Sequence, residues 1–149
     1  MVRGSRAALL NYCVLIQPEH LVQPVDAFAG RSIAYLLGHV ADTYIKWIVA
    51  TGLQRTVAYY EDQYPVSIDE IKLMFERVDD DMSAFLEHFG GRELSSLRVA
   101  RPGEQELTFI PLLLFTHATT HEFHHKGQVL SMSRLLGYTP VDTDVIRFE

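Results

Sequence analysis

Cysteine is nearly missing from this chain: Cys13 is the one thiol among 149 residues. A lone thiol closes no internal disulfide, and its neighbours Leu9, Leu10, Val14 and Leu15 mark it as a small buried hydrophobe rather than a redox centre. That cysteine usage suits a reducing cytoplasm, which is the expected location. Basic charge is also short. Thirteen Lys and Arg against nineteen Asp and Glu leave a net charge of -6, the wrong sign for a surface that binds phosphate backbones by counterion release. Nucleic acid is therefore not an expected ligand. No uninterrupted apolar run approaches the roughly 20 residues that cross a bilayer, and residues 1–17 carry polar breaks without an evident cleavage site. No membrane partner and no secretion are expected. Low-complexity tracts and solenoid-spaced repeats are missing too, while 48% hydrophobic content is too high for a disordered chain. A chain of this length buries roughly 68 to 70% of its unfolded surface, so one domain over residues 1–149 with one core is expected.

Histidine is what the chain has in excess. There are seven, and His117, His121, His124 and His125 fall within nine residues. Period and punctuation place them on the last of four helical segments. The first runs from about Ser5 to Gln17 and stops at Pro18. The second opens at Ser32, an N-cap before Ile33, carries Leu36, Val40, Thr43 and Trp47 on one side, and ends near Gly52. The third opens with the capping-box pair Ser67 and Glu70 and runs through Ile71, Met74, Phe75, Val78, Met82, Phe85 and Leu86 to Gly90 and Gly91. Residues 92–107 alternate weakly around Arg101-Pro102-Gly103-Glu104, which reads as a loop or a short hairpin. The fourth helix starts near Thr108, tolerates Pro111 in its first turn, and ends at Leu136 before Gly137. Four long helices with little strand define an all-α four-helix bundle, in which metal and ligand sites are built from inward-facing side chains on facing helices.

Taking His117 as zero and about 100° per residue, His121 falls near 40°, His125 near 80° and His124 near -20°. Ile110, Leu114, Met132, Leu135 and Leu136 of the same segment centre near about 50° by the same reckoning, which makes His121 and His125 the inward pair and leaves His117 and His124 at the edge. Two imidazoles one turn apart in a core are costly unless each finds a partner, and a divalent cation satisfies both. The third ligand must come from another helix. His39, three residues after core-facing Leu36, is the sole histidine on the second helix. Three neutral nitrogens leave open coordination positions, the arrangement of a catalytic rather than a structural ion. Imidazole donors suit several first-row ions, Zn²⁺ and Ni²⁺ foremost.

His121-Glu122-Phe123-His124-His125 also matches H-E-x-x-H, in which the glutamate serves as general base. The metzincin extension fails, because Gly127 lies only two residues beyond His125 and no histidine follows. Glu122 stands as a candidate base or a group that orients the ligands. A second apolar stripe, Leu112, Phe123 and Leu130, lies opposite the histidines and needs a cover, from another copy of the chain, from the 92–107 connection or from the C-terminal tail.

The run His121-Glu122-Phe123-His124-His125-Lys126-Gly127-Gln128, followed by Leu135-Leu136-Gly137-Tyr138-Thr139-Pro140, resembles the C-terminal signature of the DinB/YfiT-like metalloenzyme family. Ser32 to Trp47, with His39, Asp42 and Trp47, resembles its second-helix signature. The resemblance implies an up-down-down-up course of helices, a metal held by His39, His121 and His125, and a homodimer. It also implies a small-molecule substrate and metal-dependent transfer or isomerisation with a low-molecular-weight thiol as co-substrate, or hydrolysis. Lys126 stands where the family commonly has arginine. The rival expectation is a bundle that binds a metal or ligand without turnover.

Overall fold

The computed structural model describes residues 1–61, 63–100 and 105–146. The expected Arg101-Pro102-Gly103-Glu104 turn lies outside the described residues. Four long helical segments dominate, and local signals explain most of their ends. Helix α1 spans Val2–Cys13, earlier at both ends than the expected Ser5 to Gln17. The chain turns at Val14–Ile16, and Gln17, extended because proline follows it, leads into a short helix α2 over Pro18–Val22 with Pro18 at its start. A 3-10 turn at Asp26–Phe28 follows.

Helix α3 covers Ile33–Tyr44, and Ser32 caps it by accepting from the Tyr35 amide at 3.1 Å. Its continuation, Ile45–Gly52, winds as a π-helix. That widening is unmarked in the apolar pattern, and such turns gather at functional sites. Helix α4 covers Ile68–Phe89 behind a complete capping box: Ser67 Oγ accepts from the Glu70 amide, and Glu70 Oε2 accepts from the Ser67 amide, both at 3.3 Å. Residues 92–107 contribute the first strand of a hairpin, β1 Leu97–Val99, paired antiparallel with β2 Leu107–Phe109.

Helix α5 spans Pro111–Leu135. It does not begin at Thr108, which pairs with Arg98 in the hairpin. Pro111 explains the later start, because its ring disfavours helical backbone at Ile110 and its missing N–H costs nothing at the first helical position. Gly137, whose φ of 90° suits glycine, stops the chain from continuing the helix beyond Leu135, with the Tyr138 amide donating to Ser133 O at 2.9 Å.

One apolar core joins the long helices, built on Tyr12, Leu36, Val40, Tyr44, Ile48, Ile71, Phe75, Phe85, Leu114 and Met132. Within α5 the buried positions are Pro111, Leu114, Ala118, Thr119, Glu122, His125, Val129, Met132 and Ser133. They centre near about 110° on the reckoning used above, not 50°. Leu135, counted inward from sequence, is 62% exposed in the last turn, and Ile110 lies outside the helix. Through the same core, Arg6, Tyr44, Asp79 and Glu122 form a polar cluster with one residue from each long helix. The stripe opposite the histidines is partly covered by the chain itself. Leu112 stays 45% exposed, whereas Lys126 lies over the Phe123 ring while donating to Thr143 O of the tail at 2.6 Å.

Candidate metal centre

Helices α3 and α5 bring His39, His121 and His125 together, with one ligand atom from each lying within 4.8 Å of the others. The His39 ring centroid is 5.1 Å from that of His121 and 5.0 Å from that of His125. His121 and His125 meet edge-on one turn apart with centroids at 4.4 Å, and their Nε2 atoms are 3.2 Å from each other. Two imidazole nitrogens bound to one ion at about 2.1 Å, with an angle between octahedral and tetrahedral, lie roughly 3.0 to 3.4 Å apart. The observed separation falls in that window. His117 and His124 sit on the exposed flank, as their positions on the helix wheel imply.

Gln128 fixes the tautomer of His125. Its Oε1 lies 2.7 Å from His125 Nδ1, so Nδ1–H donates and the Nε2 lone pair is left facing His121. Burial is the first cause of a lowered pKa in all three rings. It acts with the Arg31 charge on His39, where Asp42 opposes it, and on His125 against the Gln128 hydrogen bond. His121 is pushed down to about 4 by burial and then by its neighbours His125 and His39. The rings are thus neutral near pH 7 and offer lone pairs. His121 Nδ1 is also buried with no hydrogen-bond partner among the described residues. A cluster short of partners, neutral and preset at metal spacing fits a divalent cation.

The space around the centre comes from segments whose conformation the sequence leaves open. A cleft of about 350 Å³ opens beside His39, lined by Asp42, Thr43, Lys46, Tyr59, Glu61 and Tyr64. Asp42 Oδ1 accepts from the Tyr60 amide at 2.7 Å, which ties the 53–66 connection to α3. On the other flank Trp47 packs edge-on against His117 and Phe109, so the hairpin closes that side.

Glu122 is not part of the histidine cluster. The residue is 7% exposed and both carboxylate oxygens are engaged: Oε1 accepts from Arg6 Nε at 2.8 Å, and Oε2 accepts from Arg6 Nη2 at 2.6 Å and from the Tyr44 hydroxyl at 2.5 Å. Arg6 in turn donates through Nη1 to Asp79 Oδ1 at 2.5 Å. Sequence reasoning missed Arg6, Tyr44 and Gln128. The i, i+3 spacing of Gln128 from His125 was a usable signal; a pairing of Arg6 with Glu122 across 116 positions was not.

Fold and site together define a mostly helical protein with three histidines from two helices positioned to hold a metal ion. The chain belongs to the DinB family, whose profile matches residues 2–149. Among solved structures it is similar to a DinB-like protein from Bacillus cereus ATCC 10987, with a TM-score of 0.69 at 17% identity, covering 94% of this chain and 91% of that one. That likeness is one of fold. A search of curated proteins found no match. Among the described residues, no helix is long and apolar enough to cross a membrane.

Proposed function

We infer that the protein is a metal-dependent enzyme acting on a small molecule, with His39, His121 and His125 as ligands of Zn²⁺ or Ni²⁺ and thiol-dependent transfer as its reaction class. The observation that carries this is the convergence of three neutral imidazoles with two Nε2 atoms 3.2 Å apart. When bound there, a divalent ion acidifies a thiol or water and polarises an electrophile. The chain supplies the rest. Gln128 holds the His125 lone pair toward the centre, while His39 borders the cleft of about 350 Å³, large enough for a small substrate. Within the cleft Lys46 offers a cation and Tyr59 a hydroxyl to orient it. Cys13 has no part in this reading: burial pushes its thiol up to about 12, so the nucleophilic sulfur comes from a co-substrate.

Hydrolysis is the second reading, and it proceeds without Glu122 as base, since Arg6 and Tyr44 occupy that carboxylate. The reading further takes the four long helices as an up-down-down-up bundle, acting in the cytoplasm and paired as a homodimer. Elemental analysis of tag-free protein beside a His121→Ala, His125→Ala double variant tests the core of it. One ion per chain, lost in the variant, is the expected result and directs screening to thiol transfer before hydrolysis. No ion in either protein after incubation with Zn²⁺ and Ni²⁺ overturns the enzyme reading, and a bound ion whose coordination is closed by His117 or His124 favours binding without turnover.

A further inference from the structure

The metal ligands come from two helices, so the shape of the centre depends on how α3 and α5 are set against each other along and around their axes. Apolar packing contributes shape, with Leu114, Ala118, Val129 and Met132 buried on α5, but it carries no directional charged contact. Tyr44 and Glu122 add direction. Tyr44 lies five residues beyond His39 on α3, and its hydroxyl donates to Glu122 Oε2 at 2.5 Å. Glu122 directly follows His121 and precedes His125 by three, which places it about 100° around the helix from the first and about 60° from the second. Arg6, 5% exposed, grips the carboxylate from the far side with two nitrogens and is itself held by Asp79. A charge-assisted, two-pronged contact of this kind tolerates little displacement. Turning or sliding α5 enough to break it would carry both α5 histidines away from His39.

We propose that Glu122 is a positioning residue of the metal centre and acts through Tyr44 and Arg6: the buried clamp sets the register of α5 against α3 and so the spacing of His39 from His121 and His125. The inference rests on the metal-binding reading above. It assigns the glutamate of the H-E-x-x-H run a role opposite to that of a base, as a charge that must stay fixed and fully bonded.

Co²⁺ uptake by wild type, Tyr44→Phe and Glu122→Gln tests it, with three readouts: affinity by competition with a chromophoric chelator, the visible ligand-field spectrum, and helical content by circular dichroism. Tyr44→Phe keeps the ring in the core and removes the hydroxyl that links α3 to Glu122 and interacts with Arg6. With helical content unchanged, its expected Co²⁺ affinity is about 10- to 100-fold weaker, and its ligand-field bands are shifted or reduced. Glu122→Gln, which keeps one carbonyl acceptor, is expected to show the same spectral change and serves if Tyr44→Phe folds poorly. Wild-type affinity and spectrum in both variants, even with a lower melting temperature, overturn the positioning role and leave the metal site standing. Failure of wild type to bind Co²⁺ overturns both together.

Discussion

His121 makes the metal-free protein sensitive to acid. Its pKa in the unfolded chain is the ordinary value of 6.5, and in the fold burial and the facing histidines push it down to about 4. Between those two values the unfolded chain binds more protons than the folded one, so stability is fully present above pH 6.5 and is lost as pH falls toward 4. His39 and His125, lowered chiefly by burial, act with the same sign. The urea midpoint of metal-free protein is expected to drop between about pH 7 and pH 5, and to drop less in His121→Gln. A midpoint equally pH-dependent in both proteins would show that His121 is not shielded from protonation. Gln128 offers a test at the same scale. Gln128→Leu keeps the bulk and removes the acceptor of His125 Nδ1–H, so chelator competition is expected to read about 10- to 100-fold weaker Zn²⁺ binding. Unchanged binding would mean that the tautomer is set without it.

At the level of elements, two glycines on the ligand-bearing helices should respond to alanine with opposite signs. A Cβ at Gly38, next to His39, would come 2.3 Å from Tyr64 Cδ1 and 3.2 Å from Pro65 Cδ, so the 53–66 connection must retreat. Alanine gains about 1 kcal/mol of helix propensity there, against about 1 to 3 kcal/mol for overpacking, and the expected result is net destabilisation. Gly127 on α5 has open space around it, and Gly127→Ala is expected to stabilise by about 0.5 to 1 kcal/mol. Urea melts of the two variants read the difference directly; a stabilised Gly38→Ala would mean that Tyr64 yields freely. The same comparison separates what is legible in a sequence from what is not. The starts of α3 and α4 were legible because Ser32, Ser67 and Glu70 act on amides within three residues. The clustering of His39, His121 and His125 was legible too, since an i, i+4 pair and a lone histidine on another amphipathic helix need no long-range knowledge. The inward face of α5 was misjudged by about 60° because the buried positions include Glu122 and Ser133, which look solvent-facing until Arg6 of α1, Tyr44 of α3 and Tyr12 of α1 are seen to bond them. Packing of Tyr64 on Gly38 and the hairpin's hold on Thr108 are equally tertiary facts.

For the whole molecule, a metal held at the proposed centre would couple its binding to the stability of the fold. His39 belongs to α3 and the other two ligands to α5, so an ion held by all three is a cross-link between the helices that also share much of the core. A ligand that binds only the folded state adds RT ln(1 + [L]/Kd), about 2.7 kcal/mol when free metal is at 100 times Kd. For a chain near 150 residues each kcal/mol raises the melting temperature by about 2 to 4 °C, so Zn²⁺ at that concentration is expected to raise it by about 5 to 10 °C. His39→Ala removes the α3 arm and leaves the α5 pair intact. If the cross-link is what stabilises, the variant retains at most a small fraction of the shift at the same Zn²⁺ concentration. A full shift in His39→Ala would instead place the ion on α5 alone, with His117 or His124 taking the third position, and would remove α3 from the centre.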